Sequence, residues 1–317
     1  MGDMRICDVG EFGLVGNITE GLTMPASVSV GPGDDAACFL VNGSCVASTD
    51  MFVEGVHFRR DWSDAGDIGR KVVAGSVADV EAMGASPAMV LVALAMPRNT
   101  ETSWVEAFAH GVRTECDRAA VTLVGGDLSS APQVVVTATA IGETRGVTPV
   151  TRGGARPGQL VAYVGRLGWG AAGLEALGRG FRSPKAIVDA QRFPLVPYGA
   201  GREAALAGAT AMIDVSDGLL ADLGHIAETS GVSIDIDPAR LEVAEPVAAV
   251  GQALGVDPMG YVLTGGEDHA LVATFELGDV PKEWSVIGSV LPAGSAPGQV
   301  LVDGSPWLRG SPGWRHF

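Results

Sequence analysis

Acidic residues recur where apolar segments give way to glycine or hydroxyl-bearing residues. Ser48-Thr49-Asp50 follows Val46-Ala47, Gly125-Gly126-Asp127 follows 121–124, and Asp214-Val215-Ser216-Asp217 follows 211–213. Gly33-Asp34-Asp35 and Gly265-Gly266-Glu267-Asp268 complete the set. Any one of them reads as an ordinary turn that ends a strand. Their recurrence changes that reading, because carboxylates gather only where cations neutralise them. Oxygen-only donors select Mg²⁺ or Mn²⁺ over zinc. Such ions bridge carboxylates and phosphates, which suits an anionic substrate.

Rival chemistries fare worse. No Gly-x-x-x-x-Gly-Lys-[Ser/Thr] loop is present. Gly168-Trp169-Gly170-Ala171-Ala172-Gly173 fits Gly-x-Gly-x-x-Gly, but the dinucleotide reading also needs an acidic residue ending a second strand. Asp189 lies near the required distance without a convincing strand before it, so tight helix–strand packing ranks first. His57, His110, His225, His269 and His316 lack zinc-ligand spacing. No Gly-x-Ser-x-Gly elbow supports covalent catalysis.

Composition narrows the class. The 317 residues are 47% hydrophobic, enough for two globular domains. The formal charge is −16, with only Lys71, Lys185 and Lys282 as lysines. Nucleic acid and anionic membranes are therefore excluded as partners. Cys7, Cys38, Cys45 and Cys116 form no Cys-x-x-Cys pair and read as reduced packing residues of a cytoplasmic protein. The N-terminus has no signal-peptide pattern, and no apolar run approaches the ~20 residues of a membrane span.

The elements that must carry these residues alternate between strands and helices, so the class is α+β (mixed α/β). Residues 67–83 carry Ile68, Val72, Val73, Val77, Val80 and Met83 at helical spacing. Asp67, Arg70, Lys71 and Glu81 gather on the opposite face, while Asp79 falls on the inward one. A carboxylate turned inward needs a metal or cationic partner, or a route to water. Residues 88–96 and 134–141 read as strands, and Ser103-Trp104-Val105-Glu106 as a capping box opening a helix. Residues 142–158, dense in Gly, Arg, Thr and Pro, separate domains 1–147 and 148–317. In the second domain, 160–164, 211–213, 261–263 and 270–275 read as strands. Residues 218–229 read as a helix closed by Gly231, whose N-terminus after Ser216-Asp217 offers N–H groups to a phosphate.

Taken in order, these motifs together with Val53-x-Gly55-x-His57-Phe58, Ala78-Asp79-x-x-Ala82-Met83-Gly84-Ala85 and Thr151-Arg152 resemble the thiamine-monophosphate kinases. That family belongs to the superfamily of aminoimidazole ribonucleotide synthetase. The resemblance runs from about Gly10 to the C-terminus. It implies ATP-dependent phosphorylation of thiamine monophosphate with several Mg²⁺. It also implies an N-terminal domain that dimerises through its sheet and a C-terminal α/β domain, giving a cytoplasmic homodimer. By position, Asp35, Ser48, Thr49, Asp50, Asp79, Asp127, Asp214 and Asp217 would hold metal. Gly126, Asp127, Arg152 and Ser216 would hold ATP, and His57, Glu267 and Trp314 the thiamine monophosphate. Asp50, Asp127 and Asp217 would carry the catalysis. Two positions depart from the family: Ala109 stands where an aromatic residue is usual, and His269 replaces a tyrosine. The rivals are another ATP-dependent member of the superfamily and a catalytically silent nucleotide-binding protein. Cys7 has no neighbouring lysine, which disfavours a selenophosphate synthetase, and the retained acidic residues disfavour a silent protein.

Overall fold

The computed structural model describes residues 4–294 and 298–314, so His316 and Phe317 lie outside the described residues. The chain forms two compact units. One takes the chain up to Val80 together with Pro87–Gly146, and the other takes Glu81–Ser86 together with everything from Val147 on. The mixed α/β class holds in both.

In chain order the first unit runs α1 (Ile6–Val9), α2 (Glu11–Thr19), β1 (Val28–Val30), β2 (Cys38–Phe39), β3 (Cys45–Val53), α3 (Ala65–Ala82), β4 (Ser86–Met96), α4 (Thr102–Ala119), β5 (Thr122–Ser130) and β6 (Val135–Glu143). Its four-stranded sheet has the order β3-β6-β4-β5. β3 is antiparallel to β6, and β4 is parallel to β5. Helix α3 buries Ile68, Val72, Val73, Val77 and Val80 completely, as its periodicity requires.

The expected solvent face of α3 is only partly solvated. Lys71 is 3% exposed and Glu81 2%. The Lys71 ammonium donates to the His57 carbonyl at 3.0 Å, and Arg70 pairs with buried Glu115 of α4 at 3.0 Å. Glu81 accepts the N–H groups of Gly199 and Gly201 at 2.8 and 3.0 Å. A helix enclosed on most sides must give its polar groups internal partners.

α3 and α4 meet backbone to backbone through glycines. A Cβ on Gly111 would stand 2.0 Å from the Gly66 carbonyl oxygen, and one on Gly69 would stand 2.3 Å from that of Phe108. α4 starts at Thr102 after Glu101, with no side-chain cap, so the capping box expected at Ser103 does not form. The Thr102 N–H and hydroxyl both donate to the Met4 carbonyl instead.

The second unit runs β7 (Leu160–Val164), α5 (Trp169–Gly178), α6 (Lys185–Arg192), α7 (Ala200–Leu206), β8 (Ala211–Asp214), α8 (Leu219–Ser230), β9 (Ser233–Ile236), α9 (Glu245–Leu254), α10 (Pro258–Thr264), β10 (Leu271–Phe275), β11 (Ser285–Leu291), β12 (Val300–Val302) and β13 (Ser305–Pro306). The sheet order is β13-β12-β9-β11-β7-β10-β8. Leu219, Leu223, Ile226 and Val262 pack with Val161, Ile213, Ile234 and Val272 in one buried core. Met212, Ala273 and Phe275 pack with Trp284 in another.

Residues 261–263, expected as a strand, belong to helix α10. Asp257 caps its start by accepting the Met259 N–H, and Pro258 fills the first turn. Of the cysteines only Cys116 packs inside, and burial pushes its thiol up to about 12. Cys7, Cys38 and Cys45 are exposed, so the packing role fails for them.

Gly111→Ala tests the helix contact. Overpacking against fixed backbone should destabilise the protein by about 1–3 kcal/mol in urea unfolding. An unchanged unfolding midpoint would contradict the close approach.

Candidate active site

The first unit holds a cavity of about 680 Å³. Val15, Ile18, Phe108, Val112 and Leu123 give it an apolar wall, and Gly33, Asp35, Gly126 and Asp127 line its polar part. Ala109, where an aromatic residue was expected, lines it too. This mixture of apolar wall and few polar groups suits a small organic ligand. Gly125, Gly126 and Asp127 do not form a turn. They lie inside β5, paired with Leu91, Val92 and Ala93. Glycine is required at 126, because a Cβ would stand 1.9 Å from the Val92 carbonyl oxygen.

Ser48, Thr49 and Asp50 likewise lie within β3, opposite Ala140, Thr139 and Ala138. The pleat sends successive side chains to opposite faces. Ser48 and Asp50 alternate with exposed Thr49. The Ser48 hydroxyl donates to the Asp79 carboxylate of α3 at 2.5 Å. The Thr49 hydroxyl lies 3.0 Å from that of Thr139, a residue lining the cavity. Three consecutive side chains therefore cannot grip one ion together, and Thr49 faces Thr139 on the side opposite Ser48 and Asp50.

His57 sits just past β3. Its Nδ1 accepts the Val53 N–H at 3.0 Å, which in the neutral ring puts the proton on Nε2. Phe52 meets the ring edge-on at 5.9 Å.

In the second unit the loop after β8 and the loop before β10 run side by side. The Glu267 N–H donates to the Ser216 carbonyl and the His269 N–H to that of Val215. The Trp314 N–H donates to the Asp217 carbonyl. Ser216, Asp217, Glu267 and Trp314 are thus brought to one place, with Trp314 58% exposed. Asp214, at the end of β8, accepts His269 Nδ1 at 2.9 Å. Glu267 and His269 hold φ of 66° and 51°, conformations that non-glycine residues rarely adopt.

Two helix starts at this end of the sheet are bound by the chain's own carboxylates. Asp268 accepts the N–H groups of Gly168 and Gly170 at the start of α5, at 2.5 and 2.8 Å. Asp222 accepts those of Asp217 and Gly218 at the start of α8, at 3.1 and 3.0 Å. Burial pushes both carboxyls up to about 7, against the downward pull of those N–H groups. The start of α5, where the glycine pattern falls, is thereby occupied, whereas at α8 Asp222 holds the two residues that precede the helix. Gly170 and Gly173 serve packing instead, against the Gly266 carbonyl and against Ile187 of α6.

Among the described residues, no three His, Cys, Asp or Glu side chains converge as a ready metal cage. The oxygen donors stand in smaller sets: Asp35 and Asp127 at the cavity, Ser48, Asp50 and Asp79 along β3 and α3, and Asp214 and Asp217 in the second unit. Mg²⁺ uses one or two carboxylates and completes its shell with water and phosphate, so the donor chemistry fits that ion.

Sequence reasoning missed the burial of Lys71, Asp222 and Asp268, and no local pattern distinguishes these charged residues from solvated ones.

The first part of the chain matches the AIR synthase related protein N-terminal domain over residues 33–144, and the second the AIR synthase related protein C-terminal domain over 156–299. Thiamine-monophosphate kinase of Mycobacterium tuberculosis is 47% identical over 311 residues, spanning 98% of this chain and 92% of its own. The crystal structure of thiamine monophosphate kinase from Aquifex aeolicus superposes with a TM-score of 0.78 at 30% identity, covering 96% of this chain and 99% of its own. A structure of AaThiL complexed with AMPPCP and TMP gives 0.77 at 30% identity over both full chains.

The clamp at Asp268 has a pH signature. Its folded pKa lies above the unfolded value, so the folded state holds the proton more tightly. Stability from this group is fully present below about pH 4 and is lost as pH rises toward 7, by about 1.4 kcal/mol per unit crossed. Asp268→Asn should flatten that slope in urea unfolding measured from pH 4 to 8. Parallel profiles for the two proteins would refute it.

Proposed function

This chain belongs to the thiamine-monophosphate kinase family of AIR synthase related proteins, and we infer from that membership that it transfers the γ-phosphoryl group of ATP to the phosphate of thiamine monophosphate. The products are ADP and thiamine diphosphate. The observation that carries this is identity of 47% sustained over 98% of the chain. A relative solved with AMPPCP and TMP, matching end to end, supports it.

The acceptor is a phosphate oxygen, already anionic near pH 7, so no side chain need remove a proton. The work left to the chain is alignment and charge stabilisation. Gly126, Asp127, Arg152 and Ser216 bind ATP in this reading. The apolar wall of Phe108, Val112 and Leu123 receives the adenine in place of a stacked aromatic. Arg152 is exposed and can fork onto phosphate oxygens. Asp35, Ser48, Asp50, Asp79, Asp127, Asp214 and Asp217 would hold magnesium, which when bound neutralises charge shared by donor and acceptor phosphates.

Thiamine monophosphate carries a thiazolium cation, an aminopyrimidine and a phosphate. Trp314 offers an exposed indole face to the cation. Glu267 offers a negative charge, and the strained loop backbone fixes its direction. His57 offers its Nε2–H as a donor, because Nδ1 is already committed to Val53. A homodimer through the first unit's sheet is supported by Met51, an apolar side chain 59% exposed on β3. The cytoplasm, where ATP is plentiful, is the compartment this reaction requires.

Mixing the protein with Mg-ATP and thiamine monophosphate should give the phosphorus resonances of thiamine diphosphate. ADP and free phosphate without a new thiamine species would overturn the reading. Asp127→Asn and Asp50→Asn should each lower kcat on the order of 10²-fold or more while circular dichroism stays unchanged. Near-normal turnover at saturating Mg²⁺ would remove both residues from the machinery.

A further inference from the structure

In the second unit, antiparallel pairing brings three loops to one end of the sheet. Leu271 of β10 lies opposite both Val164 of β7 and Asp214 of β8. The segment after β7, residues 165–168, therefore borders the loop that carries Glu267. Contacts on either side of Arg166 fix this. A Cβ on Gly165 would stand 3.1 Å from Ala270 Cα, and the Gly168 N–H donates to Asp268. One helical residue further on, Gly170 packs against Gly266 and Glu267.

Arg166 itself is half-buried, with its guanidinium 4.2 Å from the centre of the Trp169 indole. No carboxylate pairs with it and no hydrogen bond engages its guanidinium among the described residues. Other arginines of this unit are taken: Arg156 by Glu276, Arg179 by Glu175 and Arg240 by Asp237. In a chain of net charge −16, a half-buried cation with no ion pair is unusual; the acid whose charge it feels, Asp268, has its oxygens on the N–H groups of Gly168 and Gly170. Arg166 forgoes up to five charge-assisted hydrogen bonds. The stacking holds the guanidinium plane in a fixed direction, so little side-chain entropy is lost when an anion arrives. The neighbouring N-terminus of α5, another natural anion site, is closed by Asp268.

We propose that Arg166, braced on Trp169, is a specificity-determining residue that binds the phosphate of the acceptor substrate. The assignment rests on the kinase reading above and deepens it. Glu267 and Trp314 recognise the cationic ring, and Arg166 tells the phosphorylated vitamin from the free one. A fork of charged hydrogen bonds of this type accounts for roughly tenfold or more in affinity.

The test is calorimetric titration of the full chain, without ATP, by thiamine monophosphate and by thiamine. The proteins are wild type, Arg166→Met, which keeps an apolar stem over Trp169, and Arg166→Lys, which keeps the charge but not the fork. Wild type should prefer the monophosphate. Arg166→Met should weaken the monophosphate about tenfold or more and leave thiamine within twofold, so that the preference disappears. Arg166→Lys should recover part of it, and should still fall short of wild type if the Met variant does not fold. Equal losses for both ligands would make Arg166 a packing residue and overturn the proposal, as would an unchanged preference in both variants. Wild type that binds thiamine monophosphate no better than thiamine also overturns it, whatever the variants do. Wild type that binds neither ligand sinks the kinase reading itself, and the role of Arg166 with it.

Discussion

The second unit depends on a carboxylate sealed away from water. Asp268 is anchored by N–H groups in the first turn of α5, and it belongs to the same short loop as Glu267 and His269. Those two residues are held in left-handed conformations that cost on the order of 1–3 kcal/mol each. The clamp on one side and the backbone bonds to Val215 and Ser216 on the other over-determine the loop. The side chain of Glu267, which the proposed function turns toward the substrate, is thereby fixed beforehand, which is what preorganisation requires.

The same clamp shapes the electrostatics. A strongly anionic chain that must hold two phosphorylated substrates cannot rely on general attraction. At α5 the helix dipole is no remedy, because Asp268 consumes the N–H groups of Gly168 and Gly170. In the proposed reading, charge compensation falls to divalent ions at the scattered aspartates and to a few arginines. That division suits a phosphoryl transfer in which attraction must act at defined points.

In the first unit one helix serves several purposes. α3 sends Lys71 to the His57 carbonyl and Asp79 to the Ser48 hydroxyl, while its apolar stripe fills the core. Its glycines let α4 approach closely. Positions of candidate site residues and the packing of the unit are therefore coupled, and a core change in α3 should be felt at His57.

The sequence alone determined the long helices, because the apolar stripes of α3 and α8 repeat at the helical period over several turns. It also determined the family, since the order of the acidic motifs along the chain is specific even where each motif is weak. What only tertiary structure decided was direction and company. The pleat of β3 separated Thr49 from Ser48 and Asp50, although the three are adjacent in sequence. Pairing with β4 drew Gly125-Gly126-Asp127 into a strand that local turn chemistry argued against. Asp257-Pro258 started a helix where an apolar triplet had suggested a strand. The roles of Lys71, Asp222, Asp268 and Arg166 depend on partners 3 to 100 residues away, and a charge carries no mark in sequence of whether water or a backbone amide will face it.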